Sequence, residues 1–153
     1  MGLGETNIRT AVLLGSVLVL GGLQPAAAEA VLRLAENKVP VALVEVSKSP
    51  RYTEVRLQTQ AAVTGICWHA QGPNSPYLVV GNNRYRFLGG DSIAACPAVR
   101  NYAARESMAL RFEKLDPQIK EFSFVDGQGG EKEMTEPETS KARFWNFLRV
   151  TLK

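Results

Sequence analysis

Apolar and polar residues alternate along much of this chain with the two-residue period of a β-strand that buries one face. The clearest example is residues 53 to 63, where the odd positions are apolar or threonine and the even positions are mostly polar. Residues 108 to 112 and residues 122 to 124 alternate in the same way. Each of these segments is predicted to be a strand with one face in the core.

Two apolar segments that flank a turn sequence predict a β-hairpin. Residues 77 to 80 are followed by Gly81-Asn82-Asn83 and then by residues 84 to 88. Glycine and asparagine tolerate the positive φ angles that tight hairpin turns require. A further strand is predicted over residues 39 to 46, and Pro40 favours a place at the edge of a sheet.

The remaining segments are less regular. Residues 97 to 105 are rich in alanine and arginine after Pro97, and they predict the one short helix of the domain. Residues 126 to 142 contain three glycines, a proline and five acidic residues without an apolar period, which predicts a flexible acidic loop. Residues 143 to 152 predict a terminal strand with Phe144, Leu148, Val150 and Leu152 facing the core.

About seven short strands in a segment of this length predict an all-β domain, with an antiparallel β-sandwich favoured over a small ligand-holding barrel. The adjacent pair Cys67-Trp68 supports the sandwich, because a disulfide and an indole commonly pack together in such cores.

The first 28 residues are predicted to be a secretory signal peptide. Arg9 precedes an apolar run over residues 11 to 23, and Pro25 and Ala26-Ala27-Ala28 follow it. Cleavage after Ala28 leaves a single domain of residues 29 to 153 in the periplasm or outside the cell. Retention of the run as a membrane anchor is the alternative, but the run is shorter than the roughly 20 apolar residues of a spanning helix.

The predicted export favours a disulfide between the two cysteines. Cys67 and Cys96 are the only cysteines of the chain, and in an oxidising compartment they are predicted to form a disulfide. A zinc site is disfavoured because these two cysteines and the single His69 leave it one ligand short. The sequence predicts neither a metal nor a cofactor.

The net charge of the chain argues against nucleic acid as a partner. The chain has 18 basic and 15 acidic residues, with a formal net charge of +3. A small excess spread along the sequence is ordinary surface chemistry and does not favour nucleic acid.

Catalytic motifs are also weak. His69 is the only histidine, and no GxSxG sequence surrounds a serine. Glu131, Glu133, Glu136 and Glu138 lie close together, but in a segment predicted to be a solvated loop rather than a rigid site. No catalytic residue is predicted, although a small envelope hydrolase using His69 or these glutamates stays an alternative.

Two surfaces are candidates for partner binding. If the terminal strand buries its even-numbered apolar residues, alternation exposes Trp145 and Phe147 on the opposite face. Arg56, Arg84 and Arg86 are predicted to share an outer sheet face, where guanidinium groups can bind carboxylates or phosphates.

The order of these strand motifs resembles the immunoglobulin-like sandwich domains of exported bacterial proteins of unassigned function. The resemblance covers most of residues 38 to 152, and its sequences are Tyr52-Thr53-Glu54-Val55, Tyr77-Leu78-Val79, Leu110-Arg111-Phe112, Glu121-Phe122-Ser123-Phe124 and Phe144 to Leu152. It implies a binding or assembly role.

The predicted function is therefore that of an exported, non-enzymatic module that recognises a protein or an envelope polymer. The second alternative, beside the hydrolase, is an accessory subunit of a membrane complex that keeps residues 1 to 28 as an anchor.

Overall fold

The computed structural model describes residues 28 to 36, 39 to 136 and 144 to 153, which are mostly β-strand. The predicted signal segment lies outside the described residues except for Ala28, as does part of the predicted acidic loop, residues 137 to 142. The elements are β1 (Ala28–Leu34), β2 (Val41–Lys48), β3 (Tyr52–Thr59), β4 (Val63–Ile66), β5 (Tyr77–Val80), β6 (Asn83–Asp91), β7 (Arg100–Tyr102), β8 (Ser107–Glu113), β9 (Glu121–Val125), α1 (Gly127–Thr135) and β10 (Phe147–Thr151).

Eight of these strands form one antiparallel sheet in the order β1-β2-β3-β8-β6-β5-β9-β10, and β4 and β7 form a separate pair. The two end strands, β1 and β10, come into contact, so that the sheet is nearly closed. The predicted all-β class is confirmed. The finer prediction, an immunoglobulin-like sandwich of about seven strands, is not confirmed, because the described residues form ten strands and eight of them lie in a single sheet.

Two glutamates, Glu36 and Glu29, help to close the seam between β1 and β10. The backbone N–H of Glu36 donates to the carbonyl oxygen of Asn146 at 2.8 Å. The backbone N–H of Leu148 donates to the Glu36 carboxylate at 3.4 Å. At the other end of the seam, the backbone N–H of Lys153 donates to the Glu29 carboxylate. These contacts join the two ends of the sheet.

The strands with clear alternation lie largely where the sequence predicts them, except that the strand predicted over residues 53 to 63 ends at Thr59. On β3, Thr53, Val55, Leu57 and Thr59 are all fully buried, while the residues between them are partly exposed. The hairpin of β5 and β6 pairs Val80 with Asn83 across the predicted turn, where Gly81 has a φ of 57°. The two-residue period and the glycine turn are both local signals in the sequence. The packing of the folded chain is consistent with both.

The interior of the sheet is filled by aromatic rings in edge-to-face contact. The ring of Phe124 lies 5.5 Å from those of Phe112 and Phe147 and 6.1 Å from that of Trp68. The rings of Trp68 and Trp145 are 5.4 Å apart. Edge-to-face pairs add favourable quadrupole interactions to the burial of apolar area. One aromatic cluster thus connects β8, β9, β10 and the segment after β4.

The predicted disulfide between Cys67 and Cys96 is present. Next to it, the backbone N–H of Trp68 donates to the Ala94 carbonyl oxygen at 2.9 Å, and the N–H of Cys96 donates to the Trp68 carbonyl oxygen at 3.1 Å. Trp68 is buried. The bridge therefore holds two loop segments together at the point where Trp68 enters the core.

The prediction of a helix over residues 97 to 105 is wrong. This segment contains turns and the short strand β7, in which Arg100 pairs with Ile66 and Tyr102 pairs with Val63. Tyr102 is buried, and its hydroxyl donates to the Ser92 carbonyl oxygen at 2.8 Å. Helix propensity is a weak tendency, and pairing with β4 overrides it here.

The prediction of a flexible loop over residues 126 to 142 is also wrong for the first half of this segment. That half forms the helix α1. Polar contacts hold this helix. The Glu133 carboxylate accepts a hydrogen bond from the Phe144 backbone N–H at 2.7 Å, and the Asn146 side-chain amide donates to the Gly130 carbonyl oxygen at 3.1 Å. Glu133 and Asn146 are buried. A helix anchored by polar side chains has no apolar stripe for the sequence pattern to detect.

Candidate binding groove

Three adjoining depressions form a groove along β6 and the end of the sheet where β3 begins and β8 ends. Their volumes are about 740, 630 and 620 Å³. The first and second share Arg84 and Leu88, and the second and third share Pro50, Tyr85 and Lys114. We call these three adjoining depressions together the groove. Depressions of this size are large enough to take several groups of a ligand.

Basic side chains dominate the charge of the groove. Among the described residues that line it, five are basic and two are acidic: Lys48, Arg51, Arg84, Arg86 and Lys114 against Glu113 and Asp116. The whole chain is nearly balanced in charge. The groove therefore presents a locally positive potential, which attracts anionic ligands and partners.

Two cations of the groove are open to a ligand. Arg51 and Lys114 are exposed, and neither makes an ion pair within the described part of the chain. Arg51 lies in the turn between β2 and β3, and Lys114 directly follows β8. Because β3 and β8 pair with Tyr52 opposite Glu113, the fold brings these two cations to the same end of the sheet.

The other cations of the groove are already engaged. Arg86 forms an ion pair with Glu113 at 2.7 Å. The Lys48 ammonium donates to the Ile119 carbonyl oxygen at 2.6 Å. Burial lowers the pKa of Lys48, and the positive charge of Lys120 lowers it further.

Arg84 is bound by a carboxylate from α1. Its guanidinium lies 2.8 Å from the Glu131 carboxylate and stacks over the Tyr77 ring at 4.5 Å from the ring centre. The Tyr77 hydroxyl donates a hydrogen bond to the same carboxylate oxygen. Burial and this hydrogen bond raise the pKa of Tyr77, so that the hydroxyl stays protonated as a donor.

Apolar side chains lie between the cations. Leu88 is 54% exposed although it belongs to β6. The register between β6 and β8 shifts between Phe87 and Gly89, which places Leu88 at an irregularity of the ladder. Tyr85 is partly buried, and Pro50 is exposed. The groove thus combines positive charge with apolar surface, a combination that suits an anionic ligand with apolar parts.

The predicted arginine surface is divided by the fold. Arg84 and Arg86 line the groove together, but Arg56 does not. Arg56 lies on β3, separated from β6 by β8, and its guanidinium is 3.5 Å from Glu45 and 3.6 Å from Glu54. A strand order that places β8 between β3 and β6 was not visible in the sequence.

The prediction that Trp145 and Phe147 form an exposed contact surface is wrong. Trp145 is 4% exposed and Phe147 is fully buried. Trp145 precedes β10, so strand alternation does not apply to it. The register between β9 and β10 shifts between Phe147 and Val150, and Arg149 has a φ of 53°, which lets Phe147 and Val150 both face the core. Of the other predicted core residues here, Leu152 is buried, whereas Phe144 and Leu148 are half-buried.

The residues of the hydrolase alternative are dispersed or have structural contacts. His69 is exposed, next to the buried Trp68. Glu131 binds Arg84, Glu133 accepts a hydrogen bond from Phe144, and Glu138 lies outside the described residues. In the ranges that the structure describes, His, Cys, Asp and Glu side chains form no group of three that could hold a metal ion.

Among the carboxyl groups that the structure describes, Asp126 at the start of α1 has the strongly raised pKa. Burial raises the pKa of Asp126 from 3.8 to about 6; a hydrogen bond from the Trp145 backbone N–H opposes this rise, and the nearby Glu133 charge adds to it. The hydrogen bond from Trp145 measures 3.2 Å. Asp126 does not line the groove; its carboxylate connects the start of α1 with the segment before β10 through Trp145.

Stability is expected to depend on the charge of Asp126. The folded protein holds this proton to a higher pH than the unfolded chain, so the free energy of unfolding falls as the pH rises from about 4 to about 6. Asp126→Asn keeps an acceptor for Trp145 without the charge. It is expected to raise the free energy of unfolding at pH 7 by about 1–3 kcal/mol and to have little effect at pH 4.

Denaturant unfolding at both pH values measures this difference, and Asp116→Asn is the control because Asp116 is exposed. An equal effect of Asp126→Asn at pH 4 and pH 7 would rule out this role of the charge.

Comparisons with known proteins found no relative: no family model, no curated protein and no solved structure matches this chain. Within the described ranges, no helix has the length and apolar content needed to cross a membrane. The case for a function therefore depends on the groove itself.

Proposed function

We propose that this protein is an exported, non-enzymatic binding module that recognises anionic groups of an envelope or secreted partner through the groove. The observation that carries the proposal is the exposed pair Arg51 and Lys114 beside the apolar surface of Tyr85 and Leu88. Open cations supply attraction and orientation, while adjacent apolar surface supplies burial energy.

Several features support a location in the periplasm or outside the cell. The disulfide between Cys67 and Cys96 is typical of an oxidising compartment. The sequence before Ala28 has the pattern of a secretory signal with an Ala-x-Ala site. If the segment is retained as an anchor instead, the same groove belongs to an accessory subunit of a membrane complex.

A binding role also suits the contacts of the acidic residues. Two of the four glutamates of the hydrolase alternative attach α1 to its surroundings: Glu131 binds Arg84, and Glu133 accepts a hydrogen bond from Phe144. The resemblance to exported immunoglobulin-like domains, which stays a prediction, implies a binding or assembly role as well.

The groove is expected to bind polyanions in a manner that depends on Arg51 and Lys114. Suitable probes are a labelled acidic peptide, polygalacturonate, and vesicles containing phosphatidylglycerol, each titrated at low and moderate salt. Arg51→Gln/Lys114→Gln is expected to weaken binding of at least one probe by about five- to tenfold, because two direct charge contacts are lost.

The control is Arg149→Gln/Lys120→Gln, which removes the same charge from exposed positions outside the groove. An equal loss of affinity in the two double variants would mean that only net charge matters. Absence of binding to every probe would contradict the proposal as well.

A further inference from the structure

The Arg84 end of the groove already holds a carboxylate. The Glu131 side chain forms an ion pair with Arg84 and accepts a hydrogen bond from the Tyr77 hydroxyl. The stacking of Arg84 over the Tyr77 ring orients the guanidinium toward that carboxylate. Three groups from β5, β6 and α1 thus form a subsite with the chemistry of carboxylate recognition.

We propose that the ligand of the groove is an acidic polypeptide segment, and that Glu131 occupies the place of one of its carboxylates. This inference rests on the proposed function, because it assigns the ligand class to the same groove. The helix α1 is then an intramolecular competitor, and the ligand displaces Glu131 from Arg84 when it binds.

The Arg84 subsite is accessible to such a ligand. The Arg84 side chain is 63% exposed and the Glu131 side chain is 34% exposed. Exposed ion pairs contribute only about 0.2–1 kcal/mol. The carboxylate of an incoming ligand can therefore replace Glu131 at small cost, provided that the ligand gains other contacts along the groove.

Those other contacts favour a polypeptide over a sugar polymer. Leu88 lies in both depressions that share Arg84, and Tyr85 and Pro50 continue the apolar surface toward Arg51 and Lys114. An acidic peptide with apolar side chains buries this surface and places carboxylates at both cationic ends. A polyuronide offers carboxylates but covers the exposed Leu88 with hydroxyl groups, which leaves the apolar surface without an apolar partner.

The test compares two probes and two matched charge variants by fluorescence anisotropy. The peptide probe has about 12 residues of mixed glutamate, leucine and alanine, enough to span about 40 Å when extended. The second probe is labelled polygalacturonate. Glu131→Gln removes the competing charge but keeps an acceptor for the Tyr77 hydroxyl, whereas Glu121→Gln makes the same change of net charge at an exposed position outside the groove.

Glu131→Gln is expected to tighten peptide binding by about two- to fivefold. This range corresponds to the release of one exposed ion pair. Glu121→Gln is expected to leave the affinity unchanged. Glu131→Ala removes the competing carboxylate by a second route and is expected to shift the affinity in the same direction, which guards against a folding defect specific to Glu131→Gln. Circular dichroism checks that each variant is folded.

Two results would overturn this inference while leaving the proposed function intact. One is equal affinity of Glu131→Gln and Glu121→Gln while Arg51→Gln/Lys114→Gln still weakens binding. The other is tighter binding of polygalacturonate than of the peptide. If Arg51→Gln/Lys114→Gln binds both probes and the phosphatidylglycerol vesicles as tightly as the wild type does, the groove is not the binding site and the proposed function fails as well.

Discussion

Trp145→Ala is expected to lower the free energy of unfolding by about 3–5 kcal/mol, the range for removal of a large aromatic side chain from a packed core. The Trp145 ring is buried and contacts the Trp68 ring edge-to-face at 5.4 Å. The backbone N–H of Trp145 also donates to Asp126, which connects this residue to the start of α1. Loss of the ring therefore leaves a cavity where the sheet, the disulfide region and α1 meet.

Denaturant unfolding measures this effect, with Trp145→Phe as the matched variant that keeps an aromatic ring. A loss below about 1 kcal/mol for Trp145→Ala, well under the range for core aromatics, would contradict the buried position. Loss of partner binding without loss of stability would favour the exposed contact site that the sequence suggested.

Removal of the disulfide is expected to have the second large effect. In the loop-entropy description, closing a loop of this length stabilises the fold by about 3–4 kcal/mol, and Cys67 and Cys96 are 29 residues apart. Cys67→Ser/Cys96→Ser should lose about this much of the free energy of unfolding, which is a large share of the total for a small domain.

Reduction of the wild-type protein with a thiol reductant should reproduce the loss, and the same reductant should not change the double variant. Equal stability of oxidised wild type and double variant would show that the backbone hydrogen bonds around Trp68 hold these loops without the bridge.

The parts of the fold that follow from local signals could be predicted from the sequence. The alternation from Thr53 to Thr59 and the turn at Gly81 depend on neighbouring residues alone, and both are present. The disulfide followed from an even cysteine count combined with predicted export. These predictions needed no knowledge of which strands pair.

Features that depend on distant contacts could not be predicted. The helix α1 has no apolar stripe, since Glu133 and Asn146 attach it through hydrogen bonds to segments that are separate in sequence. The first strand, β1, was not predicted. Its even positions from Ala28 to Leu34 are apolar, yet these residues are exposed while the odd positions are half-buried, which is the reverse of what the alternation indicates. Phe147 was misplaced because a register shift in β10 changes which residues face inward.

The candidate site was only partly visible in the sequence. Arg84 and Arg86 alternate on one strand, so their shared face could be predicted. Arg51 and Lys114 are 63 positions apart in the numbering and meet only because β3 pairs with β8. The sequence marks Arg51 only by the proline before it and Lys114 only by the strand end before it. Neither signal shows that the two residues are neighbours in the fold.

The most direct test of the groove is a two-dimensional amide NMR titration of the protein with the acidic peptide. The predicted result is a continuous set of shifted amides at Arg51, Arg84, Tyr85, Leu88 and Lys114, together with shifts in α1 as Glu131 leaves Arg84. Shifts confined to the seam between β1 and β10, or spread evenly over the basic residues of the surface, would contradict the groove as the binding site.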